Sequence, residues 1–152
     1  MKEPIVSRIF RFALYAVFCV GVLLTMTLPF MLDTYFDIIY DAYSLREGYR
    51  WFILVFLMVA GSAGTWVVLE MIMMMRSIPS DPFVRRNEKA LKRIGIIFTA
   101  MAVLFFGKCF IYVTILTLAG GIIFLLGALF AFTLTELFSR AVAFREENDL
   151  TI

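Results

Sequence analysis

The sequence predicts an all-α membrane protein, a four-transmembrane-helix bundle with its N- and C-termini in the cytoplasm. Hydrophobic residues make up 62% of the 152-residue chain, where soluble domains have roughly 45–50%. The mean hydropathy is +0.94, and the apolar residues form long blocks rather than short amphipathic faces. Basic residues concentrate in segments that would share one side of a membrane. These observations together indicate a single integral membrane domain.

Four segments have the length of a membrane span, which needs about 20 residues. The predicted spans are residues 12–30, 51–75, 94–112 and 118–138. The last two divide one apolar stretch, Ile94 to Phe138, and no proline or polar cluster marks the turn that we expect near Tyr112 to Ala119. The first run is too long for the apolar core of a cleavable signal peptide, so we expect it to be retained.

The distribution of Lys and Arg predicts the orientation. Eleven of these residues lie in the N-terminal tail, the loop 76–93 and the tail 139–152. The loop 31–50 contains only Arg46 and Arg50. By the positive-inside rule, both termini and the loop 76–93 are cytoplasmic, and the loop 31–50 faces outward.

Several function classes find no support in the composition. Histidine is absent and the net charge is only +2, so neither histidine-based catalysis nor direct nucleic-acid binding is expected. Cys19 and Cys109 lie far apart in apolar blocks, which does not suit a zinc site or a disulfide framework. We expect no enzymatic activity, no metal and no cofactor.

The loop 76–93 is predicted to lead into a helix that continues through the third span. Ser80 or Asp81 has the side chain of an N-cap, and Pro82 suits a first helical turn. One face would carry Phe83, Asn87, Leu91 and Ile94, and the other faces Arg85, Arg86, Lys89, Lys92 and Arg93. Either the basic residues only fix topology and attract anionic headgroups, or the face with Phe83 and Asn87 docks a partner or the chain's own tail.

The tail is acidic and lies on the same predicted side as the basic loop. Its last residues are Glu146, Glu147, Asn148, Asp149, Leu150, Thr151 and Ile152. Pairing with the loop would order this tail, and a solvated, frayed tail is the alternative.

Charged residues inside the spans are functional candidates because a charge in the bilayer is costly. We expect Glu70 to form a buried structural pair with Arg76, Arg140 or Glu136 near the cytoplasmic face, and a proton relay is the alternative. Lys108 lies about 12 Å deeper by helical rise, too far for a direct pair with Glu70, and should extend outward.

Three acidic residues in the loop 31–50, Asp33, Asp37 and Asp41, follow i, i+4, i+8 spacing and would line one helical face. Such carboxylates either bind a cation or basic peptide or form a solvated face. Small residues at Gly61, Gly64, Gly120 and Gly121 would allow close helix packing. Association of two copies through them stays open.

The chain resembles the DUF2975 family of bacterial membrane proteins. The resemblance rests on the four spans, on Asp81-Pro82-Phe83 with Asn87 and Leu91, and on the ending Glu147 to Ile152. It implies a bacterial cytoplasmic membrane and, since family members are often encoded beside one, a small helix-turn-helix transcription regulator as partner. Candidate contacts are Pro82, Phe83, Arg86, Asn87, Leu91, Glu147, Asn148, Asp149, Leu150 and Thr151. An oligomeric solute or ion transporter is the alternative expectation.

Overall fold

A computed structural model describes most of the chain as four long helices. It covers residues 5–43, 47–77, 84–111 and 113–149, without the side chains of residues 35–43, 47, 148 and 149. The helices are α1 (Ile5–Tyr43), α2 (Glu47–Ser77), α3 (Arg85–Cys109) and α4 (Ile115–Asp149). All four are long and apolar enough to cross a membrane, and the described residues form no strand. The predicted all-α fold with four spanning helices is confirmed.

The helices are longer than the lipid they would cross. At about 1.5 Å per residue, the 39 residues of α1 measure about 58 Å and the 35 of α4 about 52 Å. The hydrocarbon core is only about 30 Å thick. Because α1 continues to Tyr43 and α4 to Asp149, both helices include segments that the sequence placed in the loop 31–50 and the tail 139–152.

Two helix ends differ from those expected. α3 ends at Cys109 and α4 already begins at Ile115, so the turn comes earlier than the expected Tyr112 to Ala119. Thr114 caps α4, since its Oγ1 accepts from the Thr117 N–H at 3.2 Å. α3 begins after Val84, which is extended and gives no side-chain cap. We expected this helix to begin at Ser80 or Asp81, but it begins at Arg85. Ser80, Asp81, Pro82 and Phe83 lie outside the described residues.

Close packing is strongest between α3 and α4. Phenylalanine rings of one helix cover glycines of the other, so closely that a Cβ on the glycine would meet the ring at 2.6–3.0 Å. The pairs are Gly95 with Phe132, Gly120 with Phe105, Gly121 with Phe106 and Gly127 with Phe98. This agrees with the close packing expected at Gly120 and Gly121. Gly61 is packed equally closely by Thr25 of α1, but nothing lies within 4 Å of a Cβ at Gly64.

The core lies among α2, α3 and α4. Val67, Ile94 and Ala131, one from each of these helices, form its buried centre. Among the described residues, the backbone of α1 lies close to that of α2 and of no other helix. The backbone of α4 lies close to that of α3 and of no other helix. Large apolar side chains are exposed on all four helices, most densely on α1 and α4. Such a surface requires lipid as its solvent.

Candidate functional site

Most of the described basic residues gather at one end of the helices. We call it the basic end: α1 and α3 begin there, and α2 and α4 end there. The described basic residues at this end are Arg8, Arg11, Arg76, Arg85, Arg86, Lys89, Lys92, Arg93, Arg140 and Arg145. The fold thus brings together in space the residues that the sequence placed on one side.

Glu70 of α2 forms a two-point ion pair with Arg93 of α3. Arg93 Nε donates to Glu70 Oε1 at 2.6 Å, and Nη2 donates to Oε2 at 2.8 Å. Glu70 is 3% exposed and the Arg93 side chain 49% exposed. The pair has the parallel geometry that makes arginine–carboxylate contacts strong. A structural pair for Glu70 was expected, but its partner is none of the residues named for it.

The three expected partners of Glu70 have other contacts. Arg76 donates from Nε and Nη2 to the hydroxyl of Tyr15, at 3.1 and 2.8 Å, and so joins α1 to α2. Its guanidinium also lies 5.9 Å from the centre of the Tyr15 ring. Arg140 and Glu136 pair with each other along α4.

A second polar contact sets the register of α2 against α3. The Ser77 hydroxyl lies 2.8 Å from Asn87 Oδ1, and Asn87 is 1% exposed. The two helices run antiparallel. Glu70 lies two turns before Ser77 on α2, and Arg93 lies nearly two turns after Asn87 on α3, so the two side chains face each other. Sequence reasoning missed Arg93 because its only signal is this register, which no spacing within one helix reveals.

The burial of Asn87 and Leu91 changes their interpretation. Both side chains lie inside the protein, on the same face of α3 as Ile94. A cytosolic protein therefore cannot contact them directly in this conformation. The amphipathic face packs against the chain's own helices, while Arg86 is exposed. Of the contacts expected in the loop, Arg86 alone among the described residues is accessible.

The start of α3 is joined to the last turns of α4. Arg85 Nε donates to Glu146 Oε1 at 2.8 Å, and Nη2 donates to Oε2 at 2.6 Å. This is the pairing of basic loop and acidic tail that the sequence offered as one alternative. The tail is not frayed here, because it continues α4 as far as Asp149. Glu147 is exposed beside the pair; the side chains of Asn148 and Asp149, and residues 150–152, lie outside the description.

Lys108 lies at the other end and turns inward. Its Nζ donates to Thr117 Oγ1 at 2.9 Å and lies 5.1 Å from the centre of the Phe56 ring. Thr117 is buried and Lys108 is half-buried, so the ammonium is directed toward the protein rather than extended outward as expected. As expected, Lys108 makes no direct pair with Glu70, which is bound by Arg93 near the basic end.

The acidic face expected at Asp33, Asp37 and Asp41 is described only in part. Asp33 accepts from Arg50 and so links α1 to α2 at this end. The side chains of Asp37 and Asp41 lie outside the description. Among the described side chains, no group of three His, Cys, Asp or Glu residues could hold a metal ion. The observed partner of Asp33 is thus an arginine of the same chain.

Comparison with known proteins identifies one family. The model of the family described as "Protein of unknown function (DUF2975)" matches residues 9–152, nearly the whole chain. No curated protein matches the chain, and no solved structure does.

Proposed function

The chain belongs to the DUF2975 family of proteins of unknown function, and we propose that it is a non-enzymatic, regulatory membrane protein that binds a small cytosolic partner at its basic end. The partner that we propose is a helix-turn-helix transcription regulator held at the membrane. We place the protein in the bacterial cytoplasmic membrane with both termini inside, since ten described basic residues gather at that end.

The observation that carries this proposal is the ion pair between Arg85 and Glu146. It joins two helix ends that reach beyond the hydrocarbon core, since α4 is about 20 Å longer than that core is thick. Arg85, Glu146 and Glu147 are all exposed. We call these three residues the α3–α4 junction, and we propose it as the partner's contact surface.

Ordered, charged helix ends outside the lipid support a role in binding. Two helices that only anchored the chain would not need ordered turns outside the lipid. Charged side chains on such turns offer both signs of charge at fixed positions, which gives specificity to an interface. Asn87 and Leu91, buried behind the junction, support the start of α3 rather than touch the partner.

The proposal is tested by the binding of a purified candidate regulator, chosen as any small helix-turn-helix protein encoded next to the gene of this chain. With the chain in detergent micelles, binding should be measured by thermophoresis for wild type, Glu146→Arg and Glu147→Ala. We expect both substitutions to weaken binding at least about tenfold, as is usual for central interface residues. The matched control is Glu136→Arg, which breaks an exposed pair farther from the end of α4. Equal binding by all four proteins, or none by wild type, would contradict the proposal.

The alternative of a solute or ion pathway has weaker support. Glu70 is bound by Arg93 and Lys108 by Thr117, at opposite ends of the helices. A pathway needs polar groups that can exchange a ligand along its length. Solute exchange by reconstituted wild type that Glu70→Gln abolishes would favour transport over partner binding.

A further inference from the structure

We propose that the exposed basic face of α3, formed by Arg86, Lys89 and Lys92, binds the phosphate headgroups of anionic phospholipids. This site is separate from the α3–α4 junction and does not depend on the proposed regulator. It concerns the lipid that surrounds the helices rather than a cytosolic protein.

Helix geometry places the three basic side chains on one face of α3. Arg86, Lys89 and Lys92 follow one another at three-residue spacing, which turns by about 60° at each step, so the three lie within one third of the helix circumference. All three are exposed. The buried residues Asn87, Leu91 and Ile94 occupy the opposite side. The basic face therefore points away from the protein.

The basic face lies just before the apolar, exposed part of α3. The exposed side of α3 continues from Lys92 to Ile96 and Val103, whose apolar side chains are exposed as well. Ile96 lies one turn, about 6 Å, beyond Lys92. Ile96 and Val103 need lipid around them, so Lys92 lies nearest the edge of the hydrocarbon. Lys89 and Arg86 lie about 10 and 15 Å beyond Ile96 on the side of the headgroups. Long basic side chains reach that layer readily.

Two nearby carboxylates are already paired with other arginines. Glu70 binds Arg93, and Glu146 binds Arg85. Within the described ranges, no carboxylate forms an ion pair with Arg86, Lys89 or Lys92. Glu88 shares the helix and also makes none with them. Three cations without an internal counter-ion thus face the headgroup layer, where a phosphodiester supplies the missing charge.

The experiment measures lipid enrichment around the full chain. Wild type is reconstituted into nanodiscs with equal phosphatidylglycerol and phosphatidylcholine, and retained lipids are counted by native mass spectrometry. The test variant is Arg86→Gln/Lys89→Gln/Lys92→Gln. The control is Arg8→Gln/Arg140→Gln/Arg145→Gln, which removes the same charge from the same end.

We expect wild type to retain phosphatidylglycerol preferentially, and the test variant to lower this preference at least about fivefold. The control should change it less than about twofold, and Lys89→Arg/Lys92→Arg, which keeps the charges, should leave it as in wild type. Circular dichroism of each variant establishes that the helices are intact. Equal ratios in wild type and test variant, or equal losses in test and control variants, would refute the proposal.

A last arm separates headgroups from soluble anions. Inorganic phosphate added at the concentration of total lipid phosphate should leave the enrichment unchanged. If it removes the enrichment, the face is a site for soluble phosphate and the proposal is wrong. No regulator is present in these measurements, so their outcome is independent of partner binding at the α3–α4 junction.

Discussion

Removal of Arg93 should destabilise the protein more than removal of the carboxylate that it binds. Glu70 is 3% exposed, whereas the Arg93 side chain is 49% exposed. Arg93→Gln leaves a buried carboxylate without its counter-ion. Glu70→Gln leaves an arginine that can turn toward water or headgroups, as long basic side chains do near the ends of spanning helices.

The sizes of the two effects follow from this asymmetry. Breaking a buried ion pair by removing one partner typically costs about 3–5 kcal/mol. Arg93 is half exposed, so solvent already screens part of the attraction, and we expect about 3 kcal/mol for Arg93→Gln. The glutamine in Glu70→Gln still accepts one hydrogen bond from Arg93, which limits the loss to about 1–2 kcal/mol.

Unfolding in mixed micelles of mild detergent and dodecyl sulfate, followed by circular dichroism, gives both free energies. A double-mutant cycle with Glu70→Gln/Arg93→Gln isolates the pairwise coupling. The exposed pair Glu136–Arg140 is the reference, with an expected loss below about 1 kcal/mol. If Arg93→Gln costs no more than Glu70→Gln, or the cycle shows no coupling, the burial argument is wrong.

Two further predictions concern packing and topology. Gly120→Ala should destabilise by about 1–3 kcal/mol, since its Cβ would meet the Phe105 ring at 2.6 Å. Gly107→Ala should be neutral or slightly stabilising, because nothing lies within 4 Å of that Cβ. Thermal unfolding in detergent compares the two, and equal losses would contradict the packing argument. In a chain without its native cysteines, Glu147→Cys should react with a membrane-impermeant maleimide only after the cells are opened. Val113→Cys should react in intact cells as well. The reverse pattern would overturn the proposed orientation.

The number of helices could be predicted because it depends on bulk hydrophobicity alone. The first and last residues of each helix were harder to predict, because they depend on single side chains. Thr114 and Thr117 stand in an apolar stretch and gave no sign of a turn, yet the cap that they form begins α4. For the tail, the sequence left pairing with the loop and fraying as alternatives, and the structure continues α4 to Asp149 with Arg85 bound to Glu146 across the helix ends.

The partner of Glu70 could not be predicted, for a related reason. A charge in a span indicates that a partner exists, but its identity depends on the register of two helices. That register is visible here in the contact of Ser77 with Asn87. The count of basic residues correctly predicted that they share one end of the helices. It could not show that Arg93 binds Glu70 while the neighbouring Lys92 is exposed.

The dual role of α3 decides how the surface at the basic end must be tested. Its buried face, with Asn87 and Leu91, holds the helices in register, and its exposed face carries the cations. Deleting the segment would remove both at once, so a loss of partner or lipid would not distinguish a missing contact from a shifted helix. Substitutions confined to exposed positions leave the register contacts in place. Their effects can then be assigned to the surface itself, which is why each variant aimed at a surface replaces only exposed side chains.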